Sequence, residues 1–118
     1  MPNARRGEIS AVLDGRARVL VLTLGALAEL ESAFGAEDLM ALAARFETGR
    51  LSARDAACII KAGLNGAGES VTLVEVERMR ADGGAAGFAR IVADLLAITF
   101  AADAVGEAPA SPPPPQQA

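Results

Sequence analysis

The sequence predicts an α+β fold: an N-terminal β-hairpin followed by a bundle of about five helices. Two apolar-biased runs, Glu8 to Leu13 and Arg16 to Leu22, flank Asp14-Gly15, and Asp-Gly favours the tight type I′ turn because both of its residues need φ > 0. From Thr23 to Ala102 the chain then repeats one pattern, a capping residue followed by apolar positions three and four apart, which is the period of a helix with a buried face. The chain has 118 residues, 52% of them hydrophobic and 3% aromatic, so one domain is expected with a core of Leu, Val, Ile and Ala. A domain of this size buries roughly two thirds of its unfolded surface and needs no disulfides. Residues 8–102 read as that domain, with the hairpin at 8–22 and the helices at 23–102. Residues 1–7 read as a polar, frayed start, and residues 103–118 as a disordered Pro-rich tail.

A two-residue turn fixes the hairpin register, pairing Leu13 with Arg16, Ala11 with Arg18 and Ile9 with Leu20. One face then carries Ile9, Leu20 and Leu22, with Arg16 and Arg18 near the turn. The other carries Val12, Ala17, Val19 and Val21. A hairpin apolar on both sides is either sandwiched within its own domain, covered on one side and open to a partner on the other, or paired edge to edge.

Thr23 is placed to cap the first helix, which carries Leu24, Leu27, Leu30 and Phe34 and stops at Gly35. A second helix is expected from about Ala36 to Thr48, with Glu37 and Asp38 in its first turn and Leu39, Leu42 and Phe46 as its apolar stripe; Gly49 closes it. Ser52 with Asp55 predicts a capped third helix running to about Leu64. Asn65-Gly66-Ala67-Gly68 follows. No strand precedes this glycine-rich run and no Gly-Lys-Ser/Thr ends it, so it reads as a helix-to-helix connection and not as a phosphate cradle. Thr72 with Glu75 forms a capping box opening a short fourth helix that ends near Asp82-Gly83-Gly84. The fifth, from about Ala85 to Ala102, carries Phe88, Ile91, Val92, Leu95, Leu96 and Ile98, and is expected at the centre of the helical core. Beyond it lie Pro109 and the run Pro112 to Pro115.

The residues offer little for catalysis. There is no histidine and one cysteine, which removes Cys–His nucleophiles and His-based metal sites. Cys58, within Ala-Ala-Cys-Ile-Ile, reads as a buried, inert thiol. The acidic pairs Glu29 and Glu31, Glu37 and Asp38, and Glu75 and Glu77 suit solvated helix faces and first turns. No catalytic, cofactor-binding or metal-binding residue is assigned. The net charge of -4 gives no electrostatic footprint for nucleic acid, and Arg16 and Arg18 read as edge protection. The polar start Met1 to Ser10 does not fit a secretory signal, and no apolar run has the length of a membrane span. A cytoplasmic protein acting through contacts is the expectation.

The string Gly7-Glu8, Val12-Leu13-Asp14-Gly15, and Leu22 to Glu31 with Phe34-Gly35 resembles the small gene transfer agent and phage tail proteins grouped as tail assembly chaperones, also labelled tail tube protein-like. Gly49 to Asp55, the glycine-rich loop and the last helix follow in that family's order, so the resemblance covers about Gly7 to Phe100. It implies a non-enzymatic role in building a tail inside the bacterial cell that makes the particle: shielding the tape measure protein until tail tube subunits polymerise around it. Alanine-rich helices suit such a role by offering a shallow apolar groove to a partner helix. The partner surface expected here is the second hairpin face, Val12, Val19 and Val21, with Leu24 and Leu27 of the first helix. The hairpin also invites self-association. Two other readings stay open: a structural, tube-associated component retained in the particle, and an unrelated regulatory or small-ligand binding module, which a defined apolar pocket with converging polar groups would support.

Overall fold

The computed structural model describes residues 7–47 and 51–107. Strands β1 (Glu8–Leu13) and β2 (Arg16–Val21) lead into α1 (Leu24–Phe34), α2 (Leu39–Glu47), α3 (Ala53–Gly66), α4 (Leu73–Glu77) and α5 (Gly84–Glu107). This is the α+β arrangement read from the hairpin signal and the helical periods.

The strands pair antiparallel in the expected register, with Leu13 opposite Arg16, Ala11 opposite Arg18 and Ile9 opposite Leu20. Asp14 and Gly15 have φ of 56° and 73°, the left-handed values that a type I′ turn requires. Asp14 also holds a distant part of the chain. Its N–H donates to the Arg80 carbonyl at 2.8 Å, and its carboxylate accepts from the Arg80 N–H at 2.9 Å. Leu13 forms an isolated antiparallel bridge with Ala81 beside them. The stretch after α4 is therefore laid along the hairpin tip. That use of its backbone explains why α4 ends at Glu77 and not near Asp82.

The ambiguity of the two-faced hairpin is resolved asymmetrically. Ala11, Leu13 and Leu20 are buried, whereas Val12 and Val19 are 43% and 37% exposed. Helices α3 and α5 cover the inner face. Arg18 lies on that inner face with its side chain only 11% exposed. Its guanidinium donates to the Glu69 carboxylate and to the Leu13 carbonyl, the latter at 3.3 Å. Arg16 reaches the same carboxylate oxygen at 3.0 Å. The two arginines thus clamp the hairpin to the loop after α3, a structural role in place of the expected edge protection.

Thr23 and Gly35 bound α1 as predicted: the Ala26 N–H donates to Thr23 Oγ1 at 3.1 Å, and Gly35 adopts φ 70°. The buried residues of α1 are Ala26, Leu27 and Leu30. Leu24 is 74% exposed, because at 100° per residue it lies roughly 110° around the helix from the centre of that arc. Helix α2 begins three residues later than expected, since Asp38 is its cap and not a first-turn acid. The Ala41 N–H donates to Asp38 Oδ1 at 2.8 Å and the Leu42 N–H to the Asp38 carbonyl at 3.0 Å. The expected stop at Gly49 lies outside the described residues.

Helix α3 forms the centre of the helical core, a place the sequence suggested for α5. Ala57, Ile59, Ile60, Ala62, Gly63 and Leu64 are all buried, and α3 packs against β2, α1, α4 and α5. Its capping box from Ser52 and Asp55 is present, as is that of α4 from Thr72 and Glu75. Gly66 of the glycine-rich run, and Gly63 before it, serve close packing. A Cβ on Gly66 would sit 2.1 Å from the Val21 carbonyl oxygen, and one on Gly63 would meet Leu95 at 2.9 Å and Leu20 at 3.1 Å. The helix continues through Gly66, and the Asn65 side chain accepts the Val71 N–H at 3.0 Å, fixing the path into α4. Lys61 pairs with Glu29 of α1 at 3.1 Å. Cys58 is a free thiol, half-buried against the core.

Helix α5 runs to Glu107, five residues past the expected end at Ala102. Residues 103–107 contain no proline, and the restriction imposed by Pro109 falls on the residue before it. The remaining tail, including Pro112 to Pro115, and the start at 1–6 lie outside the described residues.

Candidate functional site

Helix α5 is apolar on two sides. Leu95 and Val92 are buried, with Ile91 and Leu96 packed half-buried beside them. Ala85, Phe88, Ala89, Val92, Ala93 and Leu96 form a stripe at the three- and four-residue spacing of one helix face, and this stripe lines an open groove of about 690 Å³. Across the groove stand Ala53, Ala56, Ala57 and Ile60 of α3, with Leu51 before it, Val76 of α4 and Phe46 of α2. Alanines on both walls keep the helix surfaces low and leave space where a larger side chain would fill it. Val76 is 3% exposed and forms part of the groove's base.

The polar side chains lining the groove already have partners. Ser52 Oγ accepts the Asp55 N–H at 3.1 Å as part of the α3 cap, and Arg54 faces Glu77 at 3.8 Å. Sites for small polar ligands need a few polar groups aimed inward at the ligand, and here the charged pair sits with Arg54 74% exposed. The groove therefore suits apolar side chains carried on a helix, the groove mode of peptide recognition.

The residues assigned from sequence to partner contact fall elsewhere. Val12 and Val19 form an outward patch on the hairpin with Val21 half-buried on the same face, and Leu24 is exposed on α1. Leu27 is 7% exposed and belongs to the core, so it has no surface to offer, because the buried arc of α1 is centred between Ala26 and Leu27. None of the five lines the groove. A shallow apolar groove was the expectation from alanine content, but the residues that line it were not named from the sequence. The missed signal is the four-residue recurrence of Ala85, Ala89, Ala93 and Ala97 beside Ile91 and Leu95, which marks a second apolar stripe on a helix whose first is already used.

Among the described residues no group of His, Cys, Asp and Glu side chains is arranged to hold a metal ion, and no helix is long and apolar enough to cross a membrane. Neither a curated protein nor a solved structure matches the chain. Residues 6–102 match the family model described as phage tail tube protein, GTA-gp10. That match takes in the hairpin, all of α1 to α4 and most of α5, and the chain therefore belongs to the phage tail tube protein family GTA-gp10.

Proposed function

We propose that this protein is a non-enzymatic factor of phage or gene transfer agent tail morphogenesis, a tail assembly chaperone whose groove holds an apolar helical segment of the tape measure protein in the cytoplasm while tail tube subunits assemble. The observation that carries this reading is the open groove between α3 and α5, walled by alanines, whose lining polar side chains Ser52, Arg54 and Glu77 already have partners. Family membership supports a tail role, and tail tube proteins are structural and not catalytic. The outer hairpin patch of Val12 and Val19 is a second, smaller contact surface, suited to a tail tube subunit or to another copy of this chain. Its two short strands present a limited area, so it assists an interface rather than forming one alone.

A second reading is favoured by the family's description: a tube-associated component that stays in the particle. One experiment separates the two. The tagged chain is followed by mass spectrometry in lysates of tail-producing cells and in purified particles. The chaperone reading expects the tape measure protein with the chain in lysate and no chain in particles. A stoichiometric amount in particles would establish the structural reading instead.

A further inference from the structure

The groove continues beyond Leu96. Phe46, Ala93 and Leu96 line both it and a smaller cleft of about 340 Å³, whose other walls are Ala43 and Glu47 of α2 and Ala97 and Phe100 of α5. The two spaces therefore adjoin at Phe46 and form one trough along α5. Three of the chain's four phenylalanines, Phe46, Phe88 and Phe100, line that trough, in a sequence with no Trp or Tyr. At the cleft the Phe46 and Phe100 rings stand 6.3 Å apart and tilted by 51°, with Ala93 and Ala97 exposed on the α5 wall. Among the described residues that line the cleft, Glu47 alone is charged. A narrow apolar cleft with aromatic walls is the setting in which a polyproline II segment docks, because its extended shape is set before binding and costs little to order.

We infer that the occupant of this cleft is the chain's own C-terminal segment, with Pro112 to Pro115 lying between α2 and α5 against Phe46 and Phe100. Eleven residues, 108–118, follow Glu107 at the end of α5, and they hold five of the chain's six prolines and no charged side chain. The lengths agree. From Glu107 back to Phe100 is roughly 10 Å along the helix, and the cleft from Phe100 to Ala93 is roughly another 10 Å. In polyproline II form Ala108 to Ser111 spans roughly 12 Å, and Pro112 to Pro115 roughly 12 Å more. Ala108 to Ser111 thus makes the return along α5, and the proline run arrives on the cleft. Composition alone gives such a segment no reason to order. Tethering changes the balance: a short linker holds the prolines near the cleft at an effective concentration of about millimolar, so a weak contact is enough. A partner helix in the larger groove then either stops at Leu96 or displaces the prolines. That consequence rests on the groove being the partner site and deepens that reading with a competitor at one end; occupancy of the cleft does not depend on it.

Amide NMR spectra of three free chains test the inference without any partner: the full-length protein, a chain ending at Glu107, and a full-length variant carrying Pro112→Ser, Pro113→Ser, Pro114→Ser and Pro115→Ser. Residues 43–47 are the reporters, since they are remote in sequence from the tail and line the cleft from α2. Their signals are expected to move by more than a linewidth on truncation and to reach the same positions in the serine variant. Dilution of the full-length chain should leave them in place, and Val12, Val19 and residues 26–30 should not move in any chain. Identical signals for residues 43–47 in all three chains would overturn the inference. So would shifts on truncation that the serine variant fails to reproduce. Signals that drift toward the truncated positions on dilution would assign the cleft to the tail of a second copy and overturn docking within one chain. A tape measure segment that failed to bind would leave these spectra as they are, so the two readings fail separately.

Discussion

Gly66→Ala sets helix propensity against packing, and the structure says which prevails. Alanine is favoured over glycine inside a helix by about 1 kcal/mol, and by less at the last residue, where Gly66 lies. Its Cβ, however, would stand 2.1 Å from the Val21 carbonyl oxygen, closer by more than an ångström than ordinary non-bonded contact. The opposing atom is backbone at the end of β2 and cannot rotate away. The end of α3 must then move off the sheet, loosening the packing around Leu20 and Leu64, both fully buried. Overpacking of this kind costs about 1–3 kcal/mol, so a net loss of about 2 kcal/mol is expected, or roughly 5–10 °C in Tm for a domain of this length. Gly25→Ala is the control, since its Cβ meets only Thr23 Oγ1 at 3.9 Å; it should be neutral or stabilising by up to about 1 kcal/mol. Urea unfolding followed by circular dichroism reads both, as a lowered midpoint at unchanged slope for Gly66→Ala. A Gly66→Ala protein as stable as Gly25→Ala would refute the close docking of α3 on β2, and with it the placement of one groove wall.

Glu69→Ala removes the carboxylate that Arg16 and Arg18 share, leaving Arg18 largely buried with the Leu13 carbonyl as acceptor; a loss of about 1–3 kcal/mol is expected in urea unfolding, most of it persisting in 1 M salt because the pair is shielded. Asp14→Ala should cost about 1–2 kcal/mol by removing the acceptor for the Arg80 N–H and placing alanine at φ 56°, whereas Asp14→Asn should recover much of it, since asparagine tolerates that backbone. Val12→Lys with Val19→Lys should change stability by less than about 1 kcal/mol, as both side chains face outward, while any partner that uses the hairpin patch is lost in a pull-down.

Much of the fold was legible because its signals are local. A two-residue Asp-Gly turn fixes register, and Ser52, Thr72 and Thr23 announce helices through hydrogen bonds made within four residues. The failures are mostly long-range, the late start of α2 behind its Asp38 cap being a local one. Nothing near Arg18 in sequence says that Glu69 will neutralise it, and nothing near Asp14 says that Arg80 will lie against it. Leu24 and Leu27 of α1 were both assigned to the partner surface, yet Leu24 is exposed and Leu27 belongs to the core, because apolar spacing cannot distinguish a first-turn leucine that overhangs from one that packs. The candidate site suffered most. An alanine stripe looks like ordinary helix filler until three-dimensional packing shows that the opposite stripe of α5 already satisfies the core. Gly66 was read as part of a helix-to-helix connection, yet it lies in α3, and both it and Gly63 are glycine because β2 and α5 leave no room for a side chain.

A photo-reactive benzophenone side chain at Ala89, on the α5 wall of the groove, tests directly what occupies the groove in tail-producing cells. The same group at Val74, which is 54% exposed and outside the groove, is the control. Irradiation is expected to join position 89, and not position 74, to a helical segment of the tape measure protein before tails are complete. Adducts from Ala89 only to tail tube subunits or to other copies of this chain in finished particles would contradict it and make the groove a permanent interface of the tail.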